Sequence, residues 1–159
     1  MPPREKRHVR IVHAYLANAS YARVFGTPAI REAVHRLQAK GYHVVLDEVS
    51  GVSHGEALLR YQEADIAIDR LHMGWYATFA IECLALRLPL LAGRSDLQHL
   101  DPPVVSVTEE TLVDTLEPLV ASASLRASVG AELFAKARAV HDTTEVARRL
   151  AAVYHTLLQ

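Results

Sequence analysis

An α/β fold on a parallel sheet of about five to six strands, flanked by helices and closed by C-terminal helices, is what this sequence predicts. Two observations carry that prediction. From residue 8 to residue 107, short runs rich in Val, Ile and Leu alternate with helix-length segments. Strands so separated pair in parallel through right-handed crossovers. Beyond residue 107 the strands stop and only helical segments follow.

"HVRIVHAY" (residues 8–15) reads as the first strand, expected to be central, and "LANASYARVFG" (16–26) as a long loop. In "TPAIREAVHRLQAKG" (27–41) Thr27 is the expected N-cap, Pro28 fits the first helical position and Gly41 is the terminator. "YHVVLDEV" (42–49) is the second strand, and "SHGEALLRYQEA" (53–64) the second helix, capped by Ser53. "DIAID" (65–69), "PLLAG" (89–93) and "PVVSV" (103–107) follow as strands, with a short helix before the fourth. "TEETLVDTLEPLVAS", "SLRASVGAELFAKARAVHD" and "TTEVARRLAAVYHTLL" are three closing helices, each opened by Ser or Thr and expected to pack on the sheet. A single domain over residues 1–159 is expected, with residues 1–7 flexible.

Composition narrows the function classes. With 17 basic and 18 acidic residues, a formal charge of −1 gives no electrostatic case for nucleic acid or an anionic membrane. No signal-peptide core or membrane-length apolar run occurs, so a cytoplasmic location is expected. The single cysteine, Cys83, sits in a helical apolar setting and reads as a buried bystander. The nine histidines show no zinc spacing, and no metal site is expected. GxGxxG after the first strand and GxxxxGK[ST] are both missing, which removes the usual dinucleotide and P-loop cradles.

A parallel sheet binds ligands at the carboxyl ends of its strands. The loops there are 16–26, 50–52, 70–77 and 94–102. The stretch "GWYATFAIECLALRLPLL" (74–91) forms one wall, with residues 77–80 opening a helix and Thr78 a plausible cap. Free N–H groups at that helix start favour an anion. Glu82, one turn further on, is placed to accept hydrogen bonds from a vicinal diol such as a ribose; a first-turn acid favoured by the dipole, or a surface acid, is the alternative. His13 reads as a structural hydrogen-bonding residue, Asp69 as a loop cap, and His54 and His72 as surface polar residues. Trp75 and Tyr76 are read equally as ligand-stacking groups or loop anchors, and Tyr61 and Tyr154 as core or interface.

"GVSHGEALLRYQEADIAID", "GWYATFAIECLALRLPLL" and "VHDTTEVARRLAAVY" resemble, in order and spacing, the C-terminal half of retaining glycosyltransferases of the GT-B fold, nearest to glycosyltransferase family 4. The resemblance implies a Rossmann-like half-domain that binds a UDP- or GDP-linked sugar as substrate, with no cofactor. It places Gly51 and Val52 at the base, the backbone N–H groups of Thr78, Phe79 and Ala80 at the diphosphate, Arg23 as a phosphate-binding cation and Glu82 at the ribose. The partner it implies is an acceptor-binding N-terminal half, with a homo-oligomer as the alternative cover for the cleft face.

Three departures stand beside the resemblance. Gly74 occupies the position of the acid that lies at the donor sugar. Phe25 stands immediately before Gly26, where the family usually has a lysine. Arg87 replaces the usual glycine before the fourth strand. The competing readings are a non-catalytic nucleotide-binding or protein-interaction module descended from such an enzyme and, further off, a phosphoacceptor receiver domain. The latter needs acids at the end of the first strand, where this chain has His13-Ala14-Tyr15.

Overall fold

In the computed structural model, which describes residues 8–16, 19–93 and 102–158, the apolar runs become β1 (Val9–Ala14), β2 (Val44–Val49), β3 (Ile66–Ile68), β4 (Leu90–Gly93) and β5 (Val105–Val107). All neighbouring strands are parallel, in the order β2-β1-β3-β4-β5. β1 is interior, but β3 rather than β1 holds the middle position. The burial explains it: Ile66, Ala67 and Ile68 are all buried, whereas β1 begins half-buried. Residues 1–7 and 94–101 lie outside the described residues.

The helices are α1 (Ala19–Phe25), α2 (Thr27–Ala39), α3 (His54–Gln62), α4 (Thr78–Ala85), α5 (Leu112–Ala121), α6 (Ala123–His141) and α7 (Thr143–Leu157). Successive strand residues point to opposite faces, so each strand feeds two helical layers. Ile11, Ile66, Ile68 and Leu91 pack with Ile30 and Leu37 of α2 and Leu112 and Leu116 of α5. Val12, Ala67 and Leu90 pack with Tyr61 of α3, Cys83 and Leu84 of α4 and Leu133 of α6. Each large aliphatic side chain so buried contributes roughly 1.5–3 kcal/mol.

Four expectations are corrected. The stretch 16–26 is not all loop, because α1 occupies most of it. Thr27 is not the N-cap of α2. Gly26 takes that position at φ 74°, and the Thr27 hydroxyl instead meets buried His13 at 2.9 Å; an interior imidazole must have its hydrogen bonds satisfied. Finally, α5 and α6 pack as expected, but α7 lies against α6 with none of its residues buried. Asp142, not a Ser or Thr, caps α7 by accepting from the Thr144 and Glu145 amides.

Arg87 has φ 59°, the left-handed region, which costs a residue with a Cβ roughly 1–2 kcal/mol. Its guanidinium lies 4.7 Å from the centroid of Phe134, a contact that returns about 0.5–1 kcal/mol. Arg87→Gly is therefore expected to leave stability unchanged or to raise it by up to about 1 kcal/mol, read from urea midpoints. A clear loss instead assigns Arg87 more than a turn position.

Candidate functional site

In a sheet of this order the chain leaves β1 toward β2 on one side and reaches β3 on the other, and the crevice opens at that switch point. A cavity of about 520 Å³ lies there, a size that suits a small ligand. Its walls come from Ala14 and Tyr15 after β1, Ser50 to Val52 after β2, Arg70 and Met73 after β3, and Ala77 to Phe79 at the start of α4. Tyr21 and Phe25 of α1 complete it.

Beneath the crevice His13 ties three elements together. Its Nδ1 lies 2.9 Å from the Ile68 carbonyl and its Nε2 2.9 Å from Thr27 Oγ1. A carbonyl only accepts, so Nδ1 carries the proton and Nε2 accepts from the Thr27 hydroxyl. Burial pushes the His13 pKa below its ordinary value, against the Ile68 hydrogen bond and the nearby Asp69 charge, which raise it. Above about pH 6.5 the unfolded imidazole is also neutral, and the contribution of this group to stability is complete. As pH falls from there, the unfolded chain binds a proton that the folded chain resists, and stability declines through the lowered folded pKa. His13→Gln is expected to flatten that part of the acid-side loss in urea midpoints measured from pH 7 to 5. Equal slopes for the two proteins would remove His13 as its source.

Asp69, 1% exposed, accepts from the Ala77 amide through Oδ2 at 2.9 Å. It thereby fixes the start of α4, in keeping with its reading as a loop cap. Ala77 holds the N-cap position and no side chain caps the helix, so Thr78 does not serve as its cap. The N–H groups of Thr78, Phe79 and Ala80 are the open donors of the first turn, at the positive end of the helix dipole. Glu82 follows one turn on. Its side chain is 22% exposed, and Oε1 lies 3.5 Å from Nε2 of His54, which itself lines the cavity.

Of the residues singled out in the sequence, Gly51, Val52, Thr78 and Phe79 line the cavity. Ala80 is buried behind it, and Glu82 stands beside it next to His54. Arg23 is exposed on α1 and Gly74 is half-buried in the 70–77 loop; neither lines the cavity. Sequence reasoning passed over Ser50 and Arg70, whose Oγ and Nε are buried without hydrogen-bond partners. The position of Arg70 directly after "DIAID" was the available signal.

Tyr76 acts as an anchor: its hydroxyl lies 2.8 Å from His141 Nε2, and Trp75 stacks on it at 4.8 Å. His72 pairs with Glu109 at the surface. Tyr61 is core, with its phenol pushed up to about 12 by burial, whereas Tyr154 is exposed. Burial likewise pushes the Cys83 thiol up, which suppresses the reactive thiolate. Among the described residues no group of three His, Cys, Asp or Glu side chains is arranged to hold a metal. No helix among them is long and apolar enough to cross a membrane.

No protein-family model matches the sequence, and curated proteins give no match. Solved structures do. The C-terminal domain of LpcC, a glycosyl transferase group 1 family protein from Francisella tularensis, matches at a TM-score of 0.63 and 12% identity, over 83% of this chain and 85% of that domain. The fold is that of a Rossmann-like GT-B half-domain. WaaG, a glycosyltransferase involved in lipopolysaccharide biosynthesis, matches at a TM-score of 0.60 and 14% identity, over 86% of this chain and 44% of its own. For sucrose-phosphate synthase from Thermosynechococcus elongatus the values are 0.61 and 12%, over 96% and 46%. This chain therefore spans less than half the length of these two proteins. Identities at this level carry the fold, and function is argued from the site.

Proposed function

We propose that this chain is the donor half of a retaining glycosyltransferase, holding a UDP- or GDP-linked sugar in the switch-point crevice. One observation carries the reading: the open N-terminus of α4 and the Gly51-Val52 turn meet at a single cavity, with Glu82 one turn behind. The α4 amides suit a diphosphate, Gly51 and Val52 suit the base, and the Glu82 carboxylate suits the ribose diol. Catalysis by such a half consists of stabilising the departing diphosphate with oriented donors. Chemical-shift titration with UDP and GDP is expected to give Kd near ~0.1–1 mM, about −5.5 to −4 kcal/mol, with shifts at residues 50–54 and 77–82. Flat spectra into the millimolar range would end the donor reading.

Gly74 favours a second reading. With no acid at that position to hold the donor sugar, a nucleotide-binding or protein-interaction module without transferase activity fits the same crevice. A nucleotide-sugar that binds no more tightly than its nucleotide would support it.

The donor-half reading also needs a companion acceptor-binding half, on this polypeptide or another. Solvent-facing Leu16, Tyr21 and Met73 line the crevice, and Val24 on α1 and Trp75 in the 70–77 loop are exposed as well. A second apolar stripe, Val146, Leu150, Val153 and Leu157, runs along one side of α7 with exposures of 46–75%. An uncovered stripe of this kind favours association. Sedimentation velocity of the isolated chain is expected to show concentration-dependent self-association that Leu150→Glu with Leu157→Glu suppresses, without loss of thermal stability. A wild-type chain that stays monomeric throughout would mean that α7 needs no cover.

A further inference from the structure

We infer that Arg70 is the cation that holds the diphosphate in the crevice, a role the sequence had offered to Arg23. The assignment rests on the donor-half reading. Arg70 directly follows β3 at the switch point, and among the described residues it is the one permanent charge lining the cavity. No carboxylate among them lines it. Arg23 is exposed on α1 and outside that lining.

Among the described residues, the contacts of Arg70 leave its Nη groups available for an anion. Its guanidinium lies 4.8 Å from the centroid of Phe25, and stacking on a ring orients the planar fork without using its donors. Nη1 points to Met73 Sδ at 3.2 Å, and a thioether is a weak acceptor. Nε is buried with no hydrogen-bond partner. Asp69 pairs with the Nε edge: Oδ1 stands 3.6 Å from Arg70 Nε, an ion pair beyond hydrogen-bond length, while Oδ2 accepts from the Ala77 amide. An anionic oxygen that replaces the Met73 sulfur gains a charge-assisted bond where a weak one stood.

The two donor sets are complementary. Arg70 lies at the β3 end of the loop 70–77 and the α4 amides at the other, and both reach the same cavity. A diphosphate has two groups to satisfy, and this loop presents a cationic fork and a helix start together. Phe25, the residue that departs from the resemblance at its lysine position, supplies the ring on which Arg70 rests.

The test is titration of the wild-type chain, Arg70→Gln and Arg70→Lys with inorganic pyrophosphate, UDP, GDP and uridine at low salt, with folding checked by circular dichroism. Arg70→Gln is expected to weaken pyrophosphate and UDP by about ten- to a hundredfold and to leave uridine unchanged. Arg70→Lys is expected to recover part of the loss, because lysine keeps the charge but lacks the fork. Unchanged UDP affinity in Arg70→Gln, or equal losses for uridine and UDP, overturns the assignment while the donor reading stands. Wild-type binding of pyrophosphate without UDP or GDP, lost in Arg70→Gln, keeps Arg70 and sinks the donor reading. A wild-type chain silent toward all three phosphates sinks both. If Arg70→Gln does not fold, Arg70→Lys carries the test: a selective loss for pyrophosphate over uridine supports the assignment, and an unchanged pyrophosphate affinity overturns it.

Discussion

Gly93→Ala is expected to cost this chain about 3 kcal/mol or more of stability, which lowers Tm by roughly 6–12 °C for a domain of this size. The cause is a close approach of backbones just past the carboxyl ends of β3 and β4. A Cβ at Gly93 would sit 1.9 Å from the Leu71 carbonyl oxygen and 2.4 Å from its carbon, so a peptide group, not a flexible side chain, must move. The preceding peptide, Arg70–Leu71, is held from elsewhere. Gly93 N donates to the Arg70 carbonyl at 2.9 Å, and Leu71 N donates to the Phe25 carbonyl at 3.1 Å. On the far side the Leu71 side chain comes within 2.7 Å of where a Cβ on Gly26 would be. Leu71 is thus clamped between two glycines, and the clamp sets where Arg70 emerges. The substitution is therefore expected to weaken pyrophosphate binding along with the fold. Gly55→Ala is the control: open space surrounds that position on α3, and stability should hold or rise by up to about 1 kcal/mol. A Gly93→Ala protein that melts within about 2 °C of wild type would mean that the strand end shifts at little cost.

The sheet was legible because buried parallel strands are short, apolar and set between amphipathic helices, and that pattern is local. The wall formed by residues 74–91 was legible for the same reason: a loop, a helix start and a strand follow one another without a gap. α1 escaped because a seven-residue helix of mixed small and aromatic side chains carries no clear period. Thr27 was misplaced because a helix start does not reveal that a buried imidazole competes for its hydroxyl. Arg70 was overlooked for a tertiary reason. Its environment is made by Phe25 on α1, Met73 in its own loop and Asp69 beside it, and no spacing along the chain announces that meeting. For α7 the apolar stripe is plain in the sequence, but its exposure follows from what α6 leaves uncovered.

Glu82→Ala is expected to weaken binding of UDP or GDP by about 1.5–3 kcal/mol, roughly ten- to a hundredfold. If the Glu82 carboxylate accepts from both ribose hydroxyls, each lost bond is charge-assisted and the effect is large for one side chain. A 2′,3′-dideoxy nucleoside diphosphate removes the donors instead of the acceptor. Its affinity should already be low, and Glu82→Ala should change it little. The fold should barely notice the substitution. In the free chain the carboxylate pairs with His54 Nε2 at 3.5 Å, and that imidazole is mostly exposed and charged only when protonated. Such a contact contributes at most about 1 kcal/mol. His54→Ala separates the two roles further. If His54 merely occupies Glu82 in the empty crevice, removing it should leave nucleotide affinity unchanged or slightly higher. If His54 lies against the ligand, affinity should fall. A Glu82→Ala chain that melts much earlier yet binds the ribonucleotide as tightly as wild type would show that α4 keeps its carboxylate for the fold and not for a diol.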